Sequence, residues 1–165
     1  MFSPDSGNLS ISDTLFVGHD NHALQVHSMD ASIAIESTNV TAIGPKAKLM
    51  ESQILPSQSA AVQISGLRLR VTLRDSLIYE NSHAGLFFKS VAGSEIELSN
   101  VVLRRNGNHG MSSEGAHHNV FTISGSTFLS NHMNGICISG VGNSILTNWN
   151  DAPRRRRFHA MFFLV

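Results

Sequence analysis

Short apolar-x-apolar triplets recur along this chain at a fixed interval. Val71-x-Leu73, Ile96-x-Leu98 and Phe121-x-Ile123 stand 25 residues apart, and Leu146 continues the column in a decaying fourth copy. Ile78, Leu103 and Phe128 form a second column at the same interval. Alternation with period two marks short strands with one buried face, and the Gly, Asn and Ser between the triplets supply corners. Strand, corner, strand, corner predicts a solenoid, each residue lying above its counterpart one coil earlier at about the 4.8 Å strand spacing. The apolar columns are then the core.

Polar residues keep the same interval. Asn81-x-x-x-Gly85-Leu86, Asn106-x-x-x-Gly110-Met111 and Asn131-x-x-x-Gly135-Ile136 are spaced by 25. Stacked amides can hydrogen-bond from coil to coil as a ladder, and each glycine is expected to take a positive φ or to permit a tight corner. Glu80 with Arg105, and Lys89 with Glu114, are also 25 apart and should lie side by side on adjacent coils. Earlier copies are less regular: Ile11–Phe16 leads to Ala23–Val26, Leu49–Ile54 leads to Ala61–Ile64, and Ile33–Pro45 forms a short partial coil between them. The expectation is about six coils of roughly 25 residues over 9–150, after an N-terminal extension at 1–8 and before a non-repeat basic and apolar tail at 151–165.

The pattern apolar-x-apolar-x-x-(Ser or Gly)-x-apolar-x-x-Asn-x-x-x-Gly-apolar resembles the parallel β-helix repeat of the pectin-lyase-like superfamily, over roughly 9–148 and most sharply over 71–146. The resemblance implies an all-β fold, a right-handed parallel β-helix. It does not choose a function, because the superfamily holds polysaccharide lyases, hydrolases, epimerases, phage spikes and non-enzymatic repeat regions. The Asn-x-x-x-Gly repeats are also similar to those of animal scaffold proteins such as the bark beetle family of epithelial junctions, and to intracellular substrate-binding repeats. Asn108-His109-Gly110 resembles the Gly-His-Gly element of polygalacturonase-type hydrolases. The Asn-x-Asp, Asp-Asp and Arg-x-Lys elements that accompany it in those enzymes are missing here, so no catalytic residue is assigned.

Composition narrows the chemistry. Twelve Lys+Arg balance twelve Asp+Glu, so no global field draws nucleic acid. No apolar stretch reaches the ~18–20 residues of a membrane span, and no basic-then-apolar signal opens the chain. The single cysteine, Cys137, excludes an internal disulfide and a cysteine-based zinc site. Alternation turns it outward, in the column of Phe87 and Ser112, as an exposed thiol. His83, His117, His118 and His132 fall at corners as solvated side chains; His19, His22 and His27 gather around a turn and strand without acids. No metal or cofactor is expected.

Acids argue against catalysis. Asp75 is the only Asp of the regular region, and Glu80, Glu95, Glu97 and Glu114 fall on different columns, so no acidic cluster results. Arg68, Arg70, Arg74, Arg104 and Arg105 sit at separate places rather than converging, and Arg154–Arg157 reads as a solvated terminal run. Asn8-Leu9-Ser10 and Asn39-Val40-Thr41 fit the glycosylation pattern, which makes Asn8 and Asn39 candidate acceptors. The expected function is a non-catalytic scaffold within a larger cell-surface or secreted protein. It would bind a protein or polysaccharide on a strand face, with flanking sequence capping the solenoid. The alternative is a fragment of a carbohydrate-active enzyme of the pectate lyase, polygalacturonase or epimerase kind.

Overall fold

The computed structural model describes residues 6–18, 22–41, 60–148 and the backbone of 160–164. Among them every regular element is a strand. The first turn is β1 (Gly7–Ser12), β2 (Leu15–Val17) and β3 (Leu24–Met29); the second is β4 (Ala31–Glu36), β5 (Asn39–Thr41) and β6 (Ala60–Leu67). The third is β7 (Arg70–Arg74), β8 (Leu77–Tyr79) and β9 (Ala84–Ala92), and the fourth is β10 (Glu95–Ser99), β11 (Val102–Arg104) and β12 (Met111–Glu114). The fifth is β13 (Val120–Ser124), β14 (Thr127–Leu129) and β15 (Ile136–Gly140), after which β16 (Ser144–Asn148) and β17 (Ala160–Leu164) open another.

Taking every third strand gives three parallel sheets: sheet 1 is β1-β4-β7-β10-β13-β16, sheet 2 is β2-β5-β8-β11-β14, and sheet 3 is β3-β6-β9-β12-β15-β17. The molecule is a parallel β-solenoid of about five turns. Val71, Ile96 and Phe121 are ladder partners, as are Leu73, Leu98 and Ile123, and Ile78, Leu103 and Phe128. All are buried, and with Leu86, Phe88, Met111, Ile136 and Ile138 they fill one continuous core. Phe88 and Phe121 meet edge to face across it, ring centroids 5.9 Å apart.

Each corner turns on one left-handed residue. Between sheets 1 and 2 these are Asp13, Ser37, Asp75, Asn100 and Gly125, with φ between 48° and 55°. A left-handed residue redirects the chain in a single step, at a strain that Asp and Asn bear better than bulkier residues. The residue that follows closes the corner: the hydroxyls of Thr14, Thr38, Ser76 and Ser126 donate to the carbonyl two residues back, at 2.7–3.0 Å. Gly18, Glu80, Arg105 and Ser130 play the same part between sheets 2 and 3, and Asp30, Arg68, Gly93, His118 and Gly142 between sheets 3 and 1.

Two expectations on coil length are corrected. Ile35 pairs directly with Leu73, and Val40 with Ile78, so a turn of 38 residues runs from β4 to β7. The stretch Leu49–Ile54 lies outside the described residues. The two coils counted there are one long turn, which lowers six to about five. At the other end the step shortens to 24, so Ile145 follows Phe121 while Leu146 stacks on Thr122. Leu146 is therefore 59% exposed instead of continuing the core. Strand β1 begins inside the segment assigned to an extension. Ala160–Leu164, within the segment set apart as a tail, pairs with β15 and carries the ladder onward.

This register separates two leucines. Leu98→Ala should cost about 2–5 kcal/mol, as expected for a fully buried leucine, whereas Leu146→Ala should stay within about 0.5 kcal/mol of wild type. Urea unfolding of both variants checks this, and an equal loss in the two would overturn the 24-residue step.

Candidate functional site

The sheets bury their inner side chains in the core, so chemistry is left to outward columns and corners. On sheet 1 a shallow groove of about 270 Å³ crosses three coils, lined by Arg70 and Thr72 of β7, Glu95 and Glu97 of β10, and Val120 and Thr122 of β13. Two of the three coils carry opposite charges, arginine on β7 and glutamate on β10. Arg70 meets Glu95 at 2.8 Å, and Arg74 reaches diagonally to Glu97 at 3.0 Å. Glu95 and Glu97 stand two residues apart on one strand, hence on one face and about 6.8 Å apart by backbone geometry. Val120, 39% exposed, adds an apolar wall.

The corner between sheets 2 and 3 holds Asn81, Asn106 and Asn131. The amide of Asn81 donates to Oδ1 of Asn106 at 2.9 Å, and that of Asn106 to Oδ1 of Asn131 at 3.0 Å. The same oxygens accept from the backbone N–H of Asn81 and Asn106, at 3.4 and 3.1 Å. Second amide hydrogens go to the carbonyls of Ile78 and Leu103, so these side chains supply the bonds that a turning backbone cannot make for itself. Gly85, Gly110 and Gly135 do not take positive φ. Close approach is what Gly85 and Gly110 provide: a Cβ on Gly85 would lie 2.8 Å from the Asn106 amide and from the Gly110 carbonyl oxygen, and one on Gly110 would meet Asn131 and Gly135 in the same way.

A second ladder was missed in the sequence. At the corner between sheets 3 and 1, Asn119 donates to Oδ1 of Asn143 at 3.0 Å, Ser94 N–H donates to Oδ1 of Asn119 at 2.9 Å, and Leu69 N–H donates to Oγ of Ser94 at 3.0 Å. Ser94 and Asn119 keep the 25-residue interval, but Asn143 comes one residue early, which hides the column. The paired charges stand as neighbours too. Arg105 meets Glu80 at 3.1 Å, and Lys89 is the ladder partner of Glu114.

Histidine and cysteine positions need revision. His83 is not solvated but buried, 8% exposed. Burial pushes its imidazole below the ordinary value, and nearby His22 adds to this. Burial lowers His109 as well, and its Nδ1 accepts the Asn134 N–H at 3.2 Å, a bond only the neutral ring can make. Cys137 stands in the outward column of Ser112 and Phe87 as expected. It is only half-exposed, however, and burial pushes its thiol up, the opposite of an activated nucleophile. His117, His118 and His132 are exposed, and no group of three or more metal-ligating side chains occurs among the described residues. His19 and Arg154–Arg157 lie outside them. Asn8 and Asn39 are exposed, on β1 and β5.

The family model for the right handed beta helix region matches residues 60–151, more than half of the chain. The protein belongs to that family. No curated protein and no solved structure matches the chain. The right-handed β-helix assignment thus covers the groove and both ladders, and the comparisons give no support for a bark beetle scaffold.

Two outcomes follow for this β-helix. Asn106→Ala strips bonds from both neighbouring rungs and should cost about 2–3 kcal/mol, and Gly110→Ala about 1–3 kcal/mol through overpacking, both readable by urea unfolding. For pH, an imidazole whose folded pKa lies below its unfolded value holds fewer protons in the native state. Stability is then complete above the ordinary histidine value of 6.5 and is lost as pH falls toward the folded value. The thermal midpoint should be lower at about pH 5 than at about pH 7.5, and His83→Gln should narrow that difference.

Proposed function

We propose that this chain is a non-catalytic binding scaffold whose sheet 1 groove takes an extended, hydroxyl-rich polysaccharide. The observation that carries the reading is the charge-paired floor, Arg70 with Glu95 and Arg74 with Glu97, spread over adjacent coils. Such a surface is neutral over its area yet dense in fixed donors and acceptors, which suits hydroxyls, while Val120 offers an apolar contact for a sugar face. Its repeat along the solenoid axis, about 4.8 Å per coil, presents a track rather than a pit. A place in a cell-surface or secreted protein is part of this proposal, supported by the exposed Asn8 sequon.

One observation favours an enzyme. Glu95 and Glu97 share the outer face of β10, a pair of carboxylates of the kind that glycoside hydrolysis requires. A general acid, however, needs a carboxyl kept protonated by burial or a like charge. Both side chains are open to water, 66% and 42% exposed, and each stands against an arginine.

Titration of xylan and glucan oligosaccharides, with polygalacturonate and alginate oligomers for comparison, separates the readings. Binding should favour the uncharged sugars, weaken about tenfold in Arg70→Ala combined with Glu97→Ala, and leave every sugar intact. Product that disappears in Glu95→Gln would establish the hydrolase instead.

A further inference from the structure

Sheet 2 turns a different outer face to its surroundings. Leu77 pairs with Val102 in one outward column, and Tyr79, Arg104 and Leu129 are successive partners in the other. At one end Leu15 and Val17, 64% and 53% exposed, stand in the same two columns, with Asn39 and Thr41 between them and Leu77 and Tyr79. Arg104 is the only charged residue on these strands, and its guanidinium lies 5.3 Å from the centre of the Tyr79 ring. Its Nε is buried with no hydrogen-bond partner, while the neighbouring Glu80 is engaged with Arg105 at 3.1 Å. Nothing like this occurs on sheet 1, where each arginine of the groove faces a carboxylate.

We propose that this face docks a short segment of a partner protein that carries a carboxylate beside aliphatic or aromatic side chains. Apolar columns offer area to bury, and the stacked Tyr–Arg pair is the side-chain chemistry in which interface energy concentrates. A carboxylate would meet the Arg104 guanidinium, which forms no ion pair among the described residues, and burying the contact would strengthen it. A second copy of the chain fits badly, because a two-fold pairing through this face sets Arg104 near Arg104 with no acid on the face to separate them. The face is two columns wide and five strands long, about 10 by 20 Å, which suits a segment rather than a broad domain surface.

Selection of a phage-displayed random peptide library on the whole chain tests this. The peptides recovered should be enriched in Asp or Glu next to Leu, Ile, Val or aromatic residues. Their affinity should fall about tenfold or more in Arg104→Glu and in Tyr79→Ala, and hold in Glu97→Gln on sheet 1. Should Arg104→Glu not fold, as judged by its thermal unfolding, Arg104→Gln must abolish the preference for acidic peptides. Peptides without acids, affinity indifferent to Arg104, a dimer that Arg104→Glu dissociates, or a glycan on Asn39 in the middle of this face would each overturn the proposal.

Discussion

The hydrogen-bonded ladder between successive coils is the constraint on which everything else rests. Because parallel strands lie directly upon one another, a residue's neighbour is its counterpart in the next coil, and a column must be chemically consistent along its length. An aliphatic column makes core, whereas an amide column satisfies the corner backbone that strands leave unpaired. Asn106 shows how tightly these demands interlock. Its oxygen serves Asn81 above, its amide donates to Asn131 below, and Gly85 in the coil above must be a glycine because any side chain there would strike the Asn106 amide and the Gly110 carbonyl. The left-handed residue before each corner completes the arrangement, since it lets the chain change sheet without lengthening the coil.

The same constraint explains what could be read from the residues alone. Long-range contacts are usually invisible in a sequence, but in a solenoid they become a fixed offset, so the columns through Leu73, Ile78 and Asn81 were legible. What was not legible is where the offset changes. The 38-residue step from β4 to β7 keeps its strands in register, and the apolar pattern of Leu49–Ile54 within it matches that of a strand and corner, so the sequence alone does not show that this is one turn and not two. Losing one residue before Asn143 hid the second ladder and sent Leu146 outward. Buried His83 was misread for another reason: a corner lies at the rim of the core, and whether it is wet depends on what covers the outside.

Outward positions answer to looser rules. Nothing in the ladder requires Glu97 to follow Thr72, or Arg104 to follow Tyr79, so differences among the outer faces carry more functional information than the core does. Sheet 1 carries arginine–glutamate pairs, whereas sheet 2 carries apolar residues with Asn39, Thr41 and Thr127 around one arginine. Neither pattern follows from foldability. Charged pairs so exposed add little to stability, and an aliphatic face on an outer sheet is a solubility hazard unless something uses it.

The geometry of stacked coils also bears on catalysis against binding. Reactive groups must converge on one atom, and an outer sheet face supplies side chains about 4.8 Å apart between coils and about 6.8 Å apart along a strand, all pointing the same way. Convergence then requires a rim: a long loop or a concave sheet that turns further groups inward over the first. In the sheet 1 groove the acids meet arginines of their own surface instead, and the polar atoms form an array with the repeat of the solenoid. An array of that kind can hold a polymer at many weak points in succession, gaining affinity from length and not from any one contact. By contrast, Arg104 is a single point with unused hydrogen-bonding capacity in an apolar setting, which suits one anchoring residue of a partner. On the two proposals the faces would take different ligands, and one could be occupied without displacing the other.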